Sequence, residues 1–244
     1  MIMKNALALE IKDLRFRFNA KAKWFFNGVS ITFQAQKIHF IRGSNGVGKS
    51  TLFRLLQGGL QQQEEVFGSV VIGDALAKFE SRGNAQEMLA DAVKVVQQKF
   101  DSMLADRFSF LENLRMANCG RFPSLTCLPQ LTMMPQLLER FAIDYNQRVY
   151  SLSGGQRQIL AILMALQKTT KLLLLDEPTA ALDEVNAKMV MEFLQEIVAT
   201  LGLTVLIICH DKELVAHYAQ HGYYELIKNF TTDQRDIVYI NKAL

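Results

Sequence analysis

The segment at residues 43–50, GSNGVGKS, limits the possible folds of this chain more than any other feature. It matches the pattern G-x-x-x-x-G-K-[ST] and lies between an apolar stretch at 38–41, predicted as a strand, and a predicted helix at 50–57. Gly46 and Gly48 allow backbone conformations in which consecutive N–H groups point at one phosphate. The N-terminus of the following helix presents further N–H groups to the same anion. The segment therefore predicts a phosphate-binding loop.

Two side chains of this loop suit a nucleoside triphosphate with a magnesium ion. Lys49 supplies positive charge for the terminal phosphates, and the Ser50 hydroxyl is an oxygen ligand for Mg²⁺. Gly-rich turns before helices also occur by chance, but the strand–turn–helix context favours the functional interpretation. The residues expected at the nucleotide are Gly43, Ser44, Asn45, Gly46, Val47, Gly48, Lys49, Ser50 and Thr51.

Strand and helix signals along the chain predict an α/β fold. Period-two alternation predicts early strands at residues 8–11, 16–18 and 29–33, and the short apolar run between Gly68 and Gly73 predicts another at 70–72. Continuous apolar runs at 172–175 and 204–209 predict strands that are buried on both faces, with a helix at 185–201 between them and another from about 212. This order predicts a phosphate-loop NTPase core, a mainly parallel sheet with helices on both faces and an N-terminal antiparallel β portion.

We expect residues 1–244 to form a single domain in two parts. Residues 1–86 and 168–244 are assigned to the catalytic core, and residues 87–167, which are rich in Met, Leu and Gln, to a mainly helical insertion. The polar run at 61–65 is predicted to be a solvated loop. After the helix that begins near residue 212, only a short tail is expected.

Composition excludes several classes of function. The net charge of +3 comes without a basic block, so we expect no nucleic-acid partner. The apolar runs are too short to span a bilayer and no signal peptide is recognised, which favours a cytosolic chain without direct membrane insertion. The cysteines and two of the histidines form neither a disulfide framework nor a zinc site, and are interpreted as structural; they are Cys119, Cys127, Cys209, His217 and His221.

Two acidic residues follow the predicted strand at 172–175. At the carboxyl end of a parallel strand Asp176 can hold Mg²⁺ through its water shell, and Glu177 can orient or deprotonate an attacking water. The alternative is an acidic cap on the next helix, since such residues are favoured there. With a phosphate loop in the same chain, the catalytic interpretation is preferred.

A second anion-binding helix terminus is predicted at Ser153, before a helix at 159–167. A serine followed by two glycines offers a hydroxyl and several N–H groups. One triphosphate does not need two such termini from one chain. The economical explanation is that each chain offers this turn to a nucleotide held by another chain; its residues are Ser153, Gly154, Gly155 and Gln156.

The sequence LSGGQ at 152–156, together with the phosphate loop and LLLLDE at 172–177, resembles the ATP-binding cassette family, the nucleotide-binding subunits of ABC transporters. The resemblance extends from about residue 8 to about residue 226. It implies two cassettes, expected here as a homodimer, that close around two ATP molecules with Mg²⁺. It also implies membrane permease subunits as partners, so that the chain would lie at the cytoplasmic face of the inner membrane.

Further site residues follow only from this resemblance. Gln98, with Gln97 as the less favoured register, matches a glutamine that senses Mg²⁺ and the attacking water, so the implied metal ligands are Ser50, Gln98 and Asp176. Asp183 resembles the D-loop residue that crosses the dimer interface, and His210 the switch histidine that contacts the terminal phosphate. Phe18 or Trp24 would stack on adenine. The implied catalytic residues are Glu177, His210 and Gln98.

The chain departs from the family pattern at three places. Phe18 stands where tyrosine is usual, Cys209 where a small hydroxylic residue often precedes the histidine, and residues 36–38 lack the usual Gly-Glu turn. None of these departures removes a group that hydrolysis needs, so we expect a competent ATPase.

The predicted function is ATP hydrolysis that powers solute transport, and residues 151–210 look most like small-solute importers, including amino-acid types. A permease helix would dock at 98–113, where apolar side chains are either docking surface or insertion core; they are Phe100, Met103, Leu104, Phe108 and Phe110. The alternative function is an ABC-type ATP switch in assembly. An unrelated kinase or GTPase would leave the turn at Ser153 unexplained.

Overall fold

In a computed structural model of the chain, residues 7–73, 75–80, 92–117, 135–166, 169–219 and 222–241 are described. The strands are β1 (Leu7–Arg17), β2 (Phe26–Gln34), β3 (Ile38–Arg42), β4 (Glu65–Ile72), β5 (Ala75–Glu80), β6 (Val93–Val96), β7 (Leu172–Asp176), β8 (Thr204–Ile208), β9 (Gly222–Lys228) and β10 (Arg235–Asn241). The helices are α1 (Lys49–Leu56), α2 (Phe110–Ala117), α3 (Pro135–Arg140), α4 (Gly154–Ala165), α5 (Glu184–Leu201) and α6 (Lys212–Tyr218), with short 3₁₀ helices at Phe100–Met103 and Val149–Ser151.

Across the described residues the strands join in one sheet, in the order β5-β4-β1-β2-β10-β9-β3-β8-β7-β6. The half from β9 to β6 is parallel, and the half from β5 to β2 is antiparallel. The two halves meet where β10 pairs with β2 at Arg235 and Phe26. The predicted fold class, a phosphate-loop NTPase core with an antiparallel β portion, is confirmed.

Strand β7 shows why the parallel half is apolar throughout. Leu173 and Leu175 contribute to a core cluster that also contains residues of α4 and α5. Leu172 and Leu174 point to the opposite face, into a cluster that contains residues of α1. All four leucines have 0% exposure, so a continuous apolar run fills both layers without alternation.

The first strands differ in extent from their prediction. The predicted strands at 8–11 and 16–18 are one strand, β1, whose pairing with both neighbours shifts between residues 11 and 15. The short strand predicted at 70–72 is the end of β4, which begins at Glu65. Helix α4 begins at Gly154, before the predicted position 159, and residue 167 lies outside the described part.

Two expectations about exposed segments are wrong. The run at 61–65 is not simply a solvated loop, because Glu64 is 4% exposed and its carboxylate accepts two hydrogen bonds from Arg54. The chain after α6 is not a short tail, because β9 and β10 form an antiparallel hairpin inside the sheet. Both segments hold elements of the core together.

The segment 87–167 contains α2, α3 and α4. Its residues 93–96 form β6, which pairs in parallel with β7 and so belongs to the main sheet. The domain boundaries at 87 and 167 fall outside the described residues and stay a prediction.

Candidate nucleotide site

The candidate site lies where the parallel strands β3, β7 and β8 end. Their carboxyl ends meet at one edge of the sheet, as expected for ligand sites in such folds. This edge of the sheet holds a pocket of about 390 Å³. It is surrounded by the loop after β3, the end of β7 with Glu177, and His210 after β8. The pocket is lined by Phe18, Phe25, Asn45, Gly46, Gly48, Lys49, Ser50, Thr51, Gln98, Asp176, Glu177 and His210.

The loop between β3 and α1 depends on its glycines. Gly48 has φ of +115°, a conformation that L side chains rarely adopt, and a Cβ there would lie 2.5 Å from the ring of Phe25. At Gly43 a Cβ would lie 2.6 Å from the carbonyl oxygen of Leu226 in β9. Position 48 therefore needs glycine for its backbone conformation, and both positions need it because neighbouring atoms leave no room for a side chain.

Lys49 is held inside this loop. Its side chain is 7% exposed, and its Nζ donates hydrogen bonds to the carbonyl oxygens of Gly43 at 2.9 Å and Ser44 at 3.1 Å. Burial lowers the pKa of Lys49, and the nearby carboxylates of Glu177 and Asp176 oppose that shift. Phosphate oxygens are stronger acceptors for an ammonium group than carbonyls, so the side chain is placed to bind an anion.

Asp176 and Ser50 present oxygen atoms to one another. The Ser50 hydroxyl donates to Asp176 Oδ2 at 3.4 Å. Burial raises the pKa of Asp176, the charge of Glu177 raises it further, and Ser50 and Lys49 oppose the rise. A carboxylate and a hydroxyl are ligands that Mg²⁺ accepts. In the described residues no three His, Cys, Asp or Glu side chains form a metal-binding group.

Two of the predicted catalytic residues, Gln98 and His210, contact the third, Glu177. Gln98 Nε2 donates to Glu177 Oε2 at 2.9 Å, and His210 Nε2 lies 3.1 Å from Glu177 Oε1. Glu177 has φ of +51°, in the left-handed region, and its N–H donates to the carbonyl of Ile208 in β8 at 3.0 Å. Because backbone strain of this kind needs support from its surroundings, β8 and both partners keep the carboxylate at the pocket.

The aromatic side chains near the pocket have separate positions. Phe18 is 43% exposed, lines the pocket and packs edge-on against Phe25 at 5.2 Å between ring centroids. Trp24 lies outside the lining, packed against Phe67 at 5.9 Å and under the Arg17 guanidinium at 4.5 Å. The geometry therefore favours Phe18 over Trp24 as the ring beside a bound base.

Phe25 is a lining residue that the sequence analysis missed. Its ring lies against Gly48, and the guanidinium of Arg235 lies 4.0 Å above it. The N–H of Arg235 also donates to the carbonyl oxygen of Phe25 at 2.9 Å. The aromatic pair at 25 and 26 is visible in the sequence. The contact with Arg235 of β10 is not, because Arg235 lies more than 200 residues further along the chain.

The turn at Ser153 does not line this pocket. Ser153 caps α4, and a reciprocal pair of hydrogen bonds with Gln156 satisfies two N–H groups of the helix terminus. The pocket lining therefore joins the phosphate loop to Asp176, Glu177, Gln98 and His210, but not to the Ser153 turn or to Asp183.

Asn186, in the first turn of α5, is a second residue that the sequence analysis missed. Its side-chain oxygen accepts from the Ser153 hydroxyl at 2.9 Å and from the Gly155 N–H at 3.1 Å. Its own N–H groups donate to Asp183, the residue that caps α5. Only the spacing Asp-x-x-Asn at a helix start could have pointed to it.

Cys209 and His217 do not line the pocket. Cys209 is buried and free, and burial raises the pKa of its thiol to about 11. The ring of His217 packs against Tyr218 with 4.7 Å between centroids. Cys119, Cys127 and His221 lie outside the described residues.

Comparison with known proteins decides the family. A family model described as "ABC transporter" matches residues 26–180, which is more than half of the chain. This chain belongs to the ABC transporter family. Within it, the chain is an ATP-binding subunit that hydrolyses ATP. No helix in the described residues has the length and apolar character to cross a membrane.

Individual relatives agree with this assignment. The chain is 35% identical to the phosphonates import ATP-binding protein PhnC 1 of a Synechococcus strain, over 72% of this chain and 68% of that protein. It is 31% identical to the methionine import ATP-binding protein MetN of Campylobacter jejuni, over 87% of this chain and 66% of that protein. The chain thus spans about two thirds of each of these ABC transporter relatives.

A solved structure of cbiO1 from Clostridium perfringens, described as part of the ABC transporter complex cbiONQ, has the same fold. It superposes with a TM-score of 0.75 at 24% identity and covers 97% of this chain and 89% of that one. At this identity the likeness concerns the fold alone.

Proposed function

We propose that two copies of this chain close around two ATP molecules, each with Mg²⁺, and thereby drive the import of a small solute through separate membrane subunits. One observation supports the proposed dimer. The pocket of one chain gathers the phosphate loop, Asp176, Glu177, Gln98 and His210, whereas the Ser153 turn lies outside it. The turn has two anion donors but does not line the pocket of its own chain, so it is suited to bind the ATP of the partner chain.

In this proposal Ser50, Asp176 and Gln98 hold the magnesium ion together with phosphate oxygens. When bound, Mg²⁺ neutralises charge that develops on the β- and γ-phosphates. Lys49 leaves its carbonyl acceptors in the loop for a phosphate oxygen. Because Lys49 lies inside the loop before the ligand arrives, little reorganisation is needed for binding.

Glu177 is the residue proposed to orient the attacking water and to accept its proton. Gln98 and His210 each contact one of its carboxylate oxygens, which fixes the direction of the remaining lone pairs. General-base catalysis of this kind contributes a factor of about 10² to 10⁴. The Ser153 hydroxyl and the Gly155 N–H of the partner would stabilise the terminal phosphate from the opposite side.

A membrane partner is proposed to dock beside Gln98. Met103 at 41%, Phe108 at 42%, Met116 at 50% and Tyr150 at 68% are exposed side chains of the insertion. Of the side chains named for this surface, Phe100 and Phe110 are buried, in agreement with the alternative that they belong to the core. An apolar helix of a permease fits such a surface, and it would place this chain at the cytoplasmic face of the membrane.

The solute class rests on the relatives. One relative is named for phosphonates import and another for methionine import, so both act in import and their solutes differ chemically. We therefore propose small-solute import for this chain without a specific solute, with the solute selected by the membrane subunits.

Co-purification from native membranes tests the transport role. We expect tagged wild-type chain to retain a membrane permease, identified by mass spectrometry. Met103→Glu and Phe108→Glu should lose it while the isolated chain still hydrolyses ATP, because a charge opposes docking of an apolar helix. Leu104 is unsuitable for this test, since it packs against the core. Val185→Glu, an exposed change on α5, is the control. Retention of only a cytosolic partner would instead support the ATP switch in assembly.

A further inference from the structure

Asn186 links the two segments that the proposed dimer brings to the partner's nucleotide. Its Oδ1 accepts from Ser153 Oγ at 2.9 Å and from Gly155 N at 3.1 Å. Its Nδ2 donates to Asp183 Oδ2, and its backbone N–H to Asp183 Oδ1, both at 2.8 Å. The network fixes the orientation of the amide, because the Gly155 N–H can only donate and the ionised Asp183 carboxylate can only accept.

Both donors of the Ser153 turn are therefore already used within the chain. A serine hydroxyl carries one proton, and here it is directed to Asn186, while the oxygen accepts from the Gln156 N–H at 3.2 Å. The Gly155 N–H likewise has one proton. As long as Asn186 keeps this position, neither group can donate a full hydrogen bond to a phosphate oxygen.

The space above Gly155 leads to the same conclusion. A Cβ added to Gly155 would lie 2.7 Å from Asn186 Oδ1 and 3.2 Å from Asn186 Cβ. The amide therefore lies directly on the glycine. A phosphate oxygen bound to this N–H would need the place that the amide oxygen now occupies.

We propose that Asn186 is a positioning residue that occupies the phosphate donors of the Ser153 turn in the separate chain and yields them to the partner's ATP. This inference rests on the proposed shared site. Since the same side chain donates to Asp183 Oδ2, its displacement also releases one oxygen of the D-loop carboxylate, while Oδ1 stays bound to the backbone N–H of Asn186. Closure of the dimer would then change the D-loop and the Ser153 turn in a single step.

The proposal predicts opposite effects of two substitutions. Asn186→Ala removes the competing acceptor, so the closed dimer should form at about five- to tenfold lower ATP concentration, the effect of releasing two modest hydrogen bonds. Asn186→Asp keeps an acceptor, holds the donors more strongly through its charge and repels phosphate, so the dimer should need more ATP. A merely supporting role predicts that both substitutions weaken the dimer.

The experiment uses the full chain with Glu177→Gln, which slows hydrolysis, and titrates ATP in the presence of Mg²⁺ while sedimentation velocity follows dimer formation. Lys188→Ala is the matched control, because Lys188 is exposed two residues further along α5. If Asn186→Ala dimerises at the same or a higher ATP concentration than its parent, the inference is overturned. If the Glu177→Gln parent stays monomeric with ATP, the proposed shared site is wrong, and the inference that rests on it is overturned as well.

A second measurement examines the separate chain without nucleotide. The Gly155 amide should exchange with solvent faster in Asn186→Ala than in wild type, by NMR, because its acceptor is gone. Unchanged exchange would contradict the proposed occupation of this donor, whatever the dimer does. Asn186→Ser, whose shorter side chain does not reach both donors, repeats both measurements if the alanine variant folds poorly.

Discussion

Lys49 and Asp176 lie in surroundings that oppose their charges. Burial lowers the pKa of Lys49, and burial together with the charge of Glu177 raises the pKa of Asp176. In the proposed complex, phosphate and Mg²⁺ would add opposite charge beside both groups. The free site is therefore less favourable than the loaded one, which is the usual compromise between stability and function.

Replacing Lys49 tests the phosphate loop. Lys49→Ala should weaken ATP binding by about 10²-fold, because a partly buried charge that binds phosphate is lost. Isothermal calorimetry measures the affinity. Lys37→Ala is the control and should bind ATP as wild type does, because Lys37 precedes β3 and does not line the pocket. Equal ATP affinities of wild type and Lys49→Ala would contradict the assignment of this loop to the nucleotide site.

Asp176 gives the free protein a specific pH dependence. The pKa of Asp176 is raised in the folded chain. Between the ordinary carboxyl pKa and this raised value, the folded chain still holds a proton that the unfolded chain has lost. The free energy of unfolding therefore falls as pH rises through this range. Asp176→Asn cannot ionise and should melt at a higher temperature than wild type at neutral pH, with the difference vanishing in acid. Calorimetric scans in nucleotide-free buffer measure this. A lower melting temperature for Asp176→Asn at neutral pH would contradict the account. We also expect this variant to lose Mg²⁺-dependent ATPase activity.

Part of the pocket could be predicted because residue types and spacing there follow the chemistry of a triphosphate, whereas Phe25 was missed and Gln98 and His210 followed only from the family resemblance. Gly48, Lys49, Asp176 and Glu177 stand in short segments whose local structure the sequence already predicts. Asn186 could not be predicted, since it acts through contact with a different helix.

At the scale of elements, the connection between α1 and β4 depends on a buried ion pair. Arg54 donates to both carboxylate oxygens of Glu64, at 2.6 and 2.7 Å, and to the carbonyl of Gly59 at 2.7 Å. The N–H of Gln61 donates to the same carboxylate. Burial alone would raise the pKa of Glu64, but the hydrogen bonds from Arg54 and Gln61 outweigh it and lower the pKa. The carboxylate thus fixes the end of α1 to the start of β4.

Removing this carboxylate should destabilise the fold. Glu64→Ala should reduce the free energy of unfolding by about 2–3 kcal/mol, because Arg54 and the Gln61 N–H lose their acceptor. Because the pKa of Glu64 is lowered, its contribution is present above the ordinary carboxyl value and disappears as pH falls through the folded value. Urea unfolding at neutral and acid pH measures both effects.

Gln63→Ala, an exposed change in the same segment, should stay within about 0.5 kcal/mol of wild type. A loss from Glu64→Ala no larger than the loss from this control would mean that the ion pair does not hold the connection.

Polar composition explains why this segment was predicted wrongly. Three glutamines and two glutamates predict solvent exposure when no partner is visible in the sequence. The partner, Arg54, lies on a helix whose orientation depends on tertiary packing. The hairpin of β9 and β10 was missed for a related reason, since its place between β2 and β3 depends on strands that lie far away in the sequence.

At the scale of the whole molecule, the sheet places one set of groups in the pocket and another set outside it. The phosphate loop and Glu177 share the pocket, while Ser153 and Gly155 are held by Asn186 away from it. In a two-fold symmetric dimer each copy can complete the other's site. Two chains with different defects should then be able to compensate for one another.

Mixing two inactive variants tests this shared site most directly. Lys49→Ala lacks a working phosphate loop, and Ser153→Arg blocks the turn offered to the partner. In a mixed dimer, the loop of one chain and the turn of the other form one intact site, so an equimolar mixture should recover up to about a quarter of the wild-type ATPase rate. Each variant alone should remain inactive. No recovery at any mixing ratio, with mixed dimers present by native mass spectrometry, would contradict the account.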